Sequence, residues 1–199
     1  ESDAGHRVLV PLLKALDTRL DRVVLSHRDT DHVGGAAAVL AMQPQADLWS
    51  SLEAAHPLLA MRSGQRCEAG QHWEWDGVQF AVLHPRAEDY AGSARPNALS
   101  CVLRISNGRQ TALLVGDIEQ AQEARLVADA TILKADLLLI PHHGSRTSSS
   151  GVFLDAVQPQ HAWVQSGYRN RFGHPVPSVL ERYRERHIAV QDSPHCGAM

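Results

Sequence analysis

Two rhythms of apolar and polar positions run along the chain. Residues 8–17 (VLVPLLKALD) carry apolar side chains at helical spacing with Pro11 in the first turn, which predicts a short helix. Residues 22–26 (RVVLS) form a β-branched run that predicts a buried strand. Residues 36–42 are small and apolar and predict a close-packed helix, residues 47–50 a short strand, and residues 51–62 a helix weakened by Pro57. The rhythm then shortens. Residues 73–75, 78–83, 99–106 and 111–115 read as strands, separated by Gly77 and by the Asn107-Gly108 pair, a strong hairpin signal. Residues 85–97 are polar, rich in Gly and Pro, and predict a loop. Beyond them, helices are expected at 119–130, 149–157 and 177–186, and strands at 137–140, 162–165 and 188–190. Helices alternate with strands at both ends of a hairpin-rich middle, so an α/β class with mixed sheets and outer helices follows. The chain shows no repeat, linker or low-complexity run and is expected to be one domain over residues 1–199.

Composition narrows the classes. With 199 residues, 44% apolar and 21% charged, the chain can bury an ordinary core. Its apolar runs are far shorter than the ~20 residues of a membrane span, and its first residues lack the basic-then-apolar pattern of a signal peptide. A net charge of −3 argues against bulk-charge coating of nucleic acid. The three cysteines (Cys67, Cys101, Cys196) have no paired spacing that would make a zinc site or a disulfide framework, though one pair can form. Histidine stands out: twelve residues, against two lysines, Lys14 and Lys134. Imidazole is the commonest metal ligand and the usual acid or base near neutrality.

Position decides which histidines matter. The segment SHRDTDHVGG (residues 26–35) places four metal-capable side chains within six residues at the end of a strand. In an extended or turning loop, alternate residues share a face, so His27, Asp29 and Asp31 can converge, with His32 where the chain turns. Gly34 and Gly35 let the backbone pass close by. A second apolar strand ends in Gly116-Asp117, whose carboxylate can bridge two cations. A third runs into Pro141-His142-His143-Gly144-Ser145. Three strand ends bearing His and Asp point to one rim of a sheet, where α/β sites gather. NRFGHP (residues 170–175) is a fourth, less specific segment.

HxDxDHxGG, then Gly-Asp after an apolar strand, then PHHGS resembles the metallo-β-lactamase superfamily. SHRDTDHVGG, NALSCVLRI (residues 97–105), LLVGDIE (113–119), LLIPHHGSRTSSS (138–150) and NRFGHP together resemble the C-terminal hydrolase-like domain of the ComEC/Rec2 DNA-internalisation proteins of competent bacteria. The resemblance implies an αββα sandwich, here lacking its first strands, as a fragment of a larger protein. It implies two divalent metal ions: His27 and Asp29 on one, Asp31, His32 and His143 on the other, Asp117 bridging, and His142 facing substrate phosphate. Between His142 and His143 the ligand is favoured to be His143. Asp31 would also orient the attacking hydroxide. Asn97, Ser100, Ser145, Ser148 and His174 are candidates for the phosphate pocket. Arg146, Arg169 and Arg171 are candidates for binding the substrate anion, with Tyr168 and Phe172 beside them as possible base-stacking partners. Arg182, Arg184 and Arg186 read rather as a solvated helix face, and His84 as a structural residue at a strand end.

Three carboxylates against two divalent cations leave a residual charge of about +1, which suits an anionic substrate. Asp29 stands where the superfamily commonly has histidine, and no histidine precedes Asp117 between residues 97 and 114. An oxygen-rich ligand set favours Mn²⁺ ahead of Zn²⁺. The expected activity is a metal-dependent phosphodiesterase, a nuclease degrading the DNA strand that is not imported during natural transformation. The alternatives are a small-substrate phosphodiesterase resembling the phosphorylcholine esterases, or a non-catalytic DNA-binding or scaffold domain. The resemblance further implies DNA as partner, single-stranded rather than double-stranded, the membrane-channel part of the same parent protein, and no nucleotide cofactor. The location it implies is a soluble domain of a bacterial inner-membrane protein.

Overall fold

The computed structural model describes residues 3–92, 94–129 and 132–197. The chain divides into two compact units, Glu1–Cys67 and Glu68–Met199.

The first unit opens with a π-helical stretch, Gly5–Leu9, that runs directly into helix α1 (Val10–Ala15). Pro11 sits at the start of α1, where its missing N–H is not needed. Strand β1 (Arg22–Leu25) follows, then a single turn α2 (Thr30–Val33), helix α3 (Ala36–Met42), β2 (Asp47–Ser50), α4 (Pro57–Met61) and β3 (Gly64–Arg66). The strands form a parallel sheet in the order β1-β2-β3. Leu25, Ala36, Leu40, Leu48, Leu52 and Leu58 make its core. The small residues of α3 fit a close approach: a Cβ on Gly35, just before α3, would meet Gly5 N at 2.5 Å.

The second unit is built on a seven-stranded sheet. Its elements are β4 (His72–Trp75), β5 (Val78–His84), β6 (Val102–Ser106), β7 (Thr111–Leu114), α5 (Gln120–Ala128), β8 (Leu137–Leu139), α6 (Gly151–Val157), β9 (His161–Val164), α7 (Pro177–Arg184), β10 (Ala189–Asp192) and a closing turn α8 (Ser193–Cys196). The spatial order is β10-β9-β8-β7-β6-β5-β4. Pairings from β4 to β7 are antiparallel and those from β7 to β10 are parallel. Val102, Leu113, Leu138, Ala162 and Val164 project to one side of this sheet with Phe153, Leu154, Val179 and Tyr183 from α6 and α7. Each fully buried side chain of this size stabilises the fold by about 1.5–3 kcal/mol. Glu123, on α5, is fully buried. Its carboxylate accepts hydrogen bonds from the N–H groups of Ser149 (2.5 Å) and Ser150 (2.8 Å), and burial nevertheless raises its pKa.

The alternating elements foreseen in the sequence are present, with four differences. The helix expected over residues 51–62 is confined to Pro57–Met61, because Pro57 starts a helix more readily than it continues one. The strand expected from residue 99 begins at Val102, since Pro96–Leu99 is a 3-10 turn. The loop over 85–97 holds that turn and a second at Ala87–Ala91. Strand β3 and turn α8 carry no apolar periodicity and were not foreseen. No helix among the described residues is long and apolar enough to cross a membrane.

Candidate functional site

Two sets of metal-capable side chains stand at strand ends, one in each unit. The first leaves β1. Asp29 is extended and opens α2, its carbonyl accepting from the N–H groups of His32 (2.8 Å) and Val33 (3.0 Å). Its carboxylate makes no capping hydrogen bond and instead places Oδ2 3.5 Å from His27 Nε2. The extended backbone of this segment ends at Asp29. Asp31 lies on a helical turn and its carboxylate pairs with its neighbour, Oδ2 standing 3.8 Å from His32 Nε2.

A serine that the sequence reading left without a role organises this set. Ser26 Oγ lies 3.1 Å from His27 Nδ1 and 2.9 Å from His32 Nδ1. A hydroxyl has two lone pairs, so it can accept from both rings and turn both Nε2 atoms toward carboxylates. The two rings sit 4.0 Å apart, centroid to centroid. His27 is only 1% exposed, whereas Asp31 is exposed.

The second set belongs to β7, β8 and the loops beside them. After β8 the chain makes the Pro141–Gly144 turn, in which both His142 (φ 50°) and His143 (φ 53°) are left-handed. Gly144 (φ 79°) continues it, and a Cβ there would meet Pro175 Cβ at 2.5 Å. His142 N–H donates to Gly116 O (3.1 Å), which ties this turn to the end of β7. His143 Nδ1–H donates to Gln165 O (2.7 Å) beyond β9. That bond fixes the tautomer and leaves Nε2 as the lone-pair nitrogen, 3.5 Å from Asp117 Oδ2. His142 is oriented differently. Asn97 Nδ2 donates to its Nε2 (3.3 Å), and its Nδ1 lies 3.2 Å from Thr147 Oγ1, which itself donates to Glu119 Oε1 (2.8 Å). Its Nε2 is 3.8 Å from Asp117 Oδ2.

Asp117 is buried, and its N–H donates to Ser100 Oγ (3.0 Å). His84 donates from Nδ1 to Ser100 O (2.9 Å), and burial lowers its pKa, so it supports the site as a neutral ring. His174 stands 5.9 Å from His142, ring to ring. Burial and the neighbouring His142 and His143 lower its pKa. Asn97, Ser100, Asp117, His142, His143 and His174 are thus brought together. Ser145 is buried with Oγ 3.2 Å from Thr147 Oγ1, and Ser148 Oγ donates to Pro141 O (2.8 Å); both hold the turn. Arg146, Arg169 and Arg171 are exposed. Arg182 is committed to Ser148 O and Ser149 O, Arg184 to Glu181 and Arg186 to Asp155, so these three serve the fold. Thr147, Glu119 and Gln165 were missed as positioning groups. A backbone carbonyl such as that of Gln165 leaves no trace in sequence.

In both sets, imidazole nitrogen and carboxylate oxygen face each other at 3.5–3.8 Å. That is beyond hydrogen-bond reach. It is close to the ~3.0–3.4 Å that separates two ligands of one ion at bond lengths of about 2.1 Å. The donors present fit divalent cations.

Comparison with known proteins gives a consistent result. The model of the metallo-β-lactamase superfamily matches residues 3–167. The chain is 38% identical over 198 residues to competence protein ComA of Neisseria gonorrhoeae, covering 98% of this chain and 27% of that protein. It is 32% identical over 189 residues to recombination protein 2 of Haemophilus influenzae, covering 95% and 23% respectively. The chain therefore spans about a quarter of the length of these relatives. Among solved structures it is similar to Igni18, described as a metallo hydrolase of the archaeon Ignicoccus hospitalis. That match has a TM-score of 0.54 at 15% identity and covers 86% of this chain and 75% of the other. It carries the fold and nothing finer.

Proposed function

The chain belongs to the metallo-β-lactamase superfamily and has its α/β fold, and from that premise we propose that it is a metal-dependent phosphodiester hydrolase, a nuclease that degrades the non-imported DNA strand during natural transformation. In this reading it is one functional domain of a longer bacterial inner-membrane protein, acting beside that protein's channel. The similarity to competence protein ComA supports the DNA substrate. The observation that carries the hydrolase reading is the His143 arrangement, in which a backbone carbonyl fixes Nδ1–H and presents Nε2 toward Asp117.

His27 and Asp29 would hold one ion, Asp31, His32 and His143 the other, and Asp117 would bridge. Two divalent ions, Mn²⁺ ahead of Zn²⁺, would lower the pKa of bound water and neutralise charge on phosphate. Asp31 would also orient the attacking oxygen. His142, with Nδ1 facing Thr147 and Glu119, would face the substrate phosphate. Asn97, Ser100, Ser145 and His174 line the phosphate pocket, and Arg146, Arg169 and Arg171 bind the anionic chain outside it.

The test is incubation of the folded chain with single-stranded DNA and Mn²⁺. Cleavage that is abolished by a chelator and by Asp31→Ala is expected. Absence of cleavage with both Mn²⁺ and Zn²⁺, or cleavage that survives Asp31→Ala, overturns the reading. Anomalous scattering from crystals soaked in each metal tests the ligand assignment.

A further inference from the structure

The loop between β9 and α7 displays aromatic rings that the fold does not bury. Tyr168 is 68% exposed and Phe172 64%. Each carries an arginine: the guanidinium carbon of Arg169 lies 5.2 Å from the Tyr168 ring centre, and that of Arg171 lies 4.8 Å from that of Phe172. Phe172 in turn stacks on His174, with centroids 5.8 Å apart and planes 24° from parallel, and His174 meets His142 at 5.9 Å. A row of rings thus leads from the catalytic histidine to solvent.

The loop is built, not loose. Asn170 Nδ2 donates to Gly167 O (3.0 Å) and His174 O (2.6 Å), while its Oδ1 accepts from His174 N–H (3.0 Å). Val176 N–H donates to Gly144 O (3.0 Å). The platform is therefore anchored to the turn that carries His142 and His143.

We propose that Tyr168 and Phe172 are a base-stacking platform that selects single-stranded nucleic acid and feeds its backbone to the site, with Arg171 on the adjoining phosphate. The substrate class rests on the nuclease reading above; the platform itself rests on the loop. Exposed rings beside guanidiniums suit a chain that alternates flat bases with phosphates. The same guanidiniums repel a cationic head group, which sets this site apart from one for a quaternary ammonium ester. In a duplex the bases stack on one another and cannot reach the rings.

The experiment measures binding of the full chain, with chelator present so that nothing is cleaved. A short single-stranded oligonucleotide is compared with an abasic strand of equal length. Wild type is expected to prefer the base-bearing strand by about tenfold. In Phe172→Ala and Tyr168→Ala the preference shrinks to about twofold or less, and Phe172→Trp keeps it. Arg171→Ala weakens both ligands alike and lowers the salt slope by about one. A wild type that binds the two strands equally, or alanine variants that keep the full preference, overturns the proposal. Cleavage by wild type is scored separately. A preference that follows Phe172 in a protein that cleaves nothing upholds the platform and refutes the nuclease. Cleavage without any preference does the reverse.

Discussion

The two donor sets reach similar imidazole–carboxylate spacings by different means. The first takes His27, Asp29, Asp31 and His32 from six consecutive residues after β1, and one hydroxyl, Ser26, lies against both rings. The second takes Asp117 from the exit of β7 and His143 from the turn after β8. Its geometry is stored in three left-handed residues and in a carbonyl beyond β9. The first is a local device whose aim depends on a side chain. The second is a tertiary device whose aim depends on backbone and core.

The largest effects should come from the acids. Asp117→Ala is expected to reduce Mn²⁺-dependent hydrolysis about a thousandfold or more. It should also lower bound metal, by elemental analysis, further than Asp29→Ala does, if Asp117 bridges two ions as proposed. Equal metal content in the two variants would break the proposed division of labour.

Next comes the backbone of the second set. Gly144→Ala places a Cβ 2.5 Å from Pro175 Cβ at a φ of +79° and should cost about 3 kcal/mol in denaturant unfolding. Ser26→Ala is the matching change in the first set. It should weaken metal binding about 10- to 100-fold while leaving the unfolding midpoint nearly unchanged. If Ser26→Ala unfolds as readily as Gly144→Ala, the contrast between the two devices fails.

The smallest effect lies under the second set. Glu123→Gln keeps one acceptor for the Ser149 and Ser150 N–H groups and loses the other, an expected loss of about 1–2 kcal/mol near neutral pH. Burial raises the Glu123 pKa above 4.5. A raised carboxylate adds stability below that ordinary value and loses it as pH rises through the folded value. Wild-type stability should therefore decline over that interval, and the glutamine variant should decline less, in denaturation measured at several pH values.

The same contrast explains what the sequence made legible. HxDxDH could be read because its residues are neighbours in the chain and follow an apolar run. The strands ending at Asp117 and Pro141 were equally plain, since β-branched and leucine runs mark buried strands. The roles of Ser26 and Thr147 could not be read, because serine and threonine beside a motif ordinarily cap or turn. Gln165 acts through its carbonyl, which every residue possesses. Sequence favoured His143 over His142 as a ligand without showing their partners, which are a backbone carbonyl and Asp117 for His143, and Asn97 with a threonine–glutamate pair for His142. Residues 51–62 misled because apolar content there reflects a short amphipathic turn rather than a full helix.

Strand β7 is the seam at which the large sheet changes from antiparallel to parallel pairing. That seam is expected to order events in time. The β6–β7 hairpin closes through a four-residue turn, whereas each parallel pairing waits for a helical crossover, and closing a longer loop is slower. Asp117, at the exit of β7, is therefore expected in place before His143, whose orientation needs β8 and then the Gln165 carbonyl after β9. On this schedule the second donor set acquires its acid first and its imidazole last.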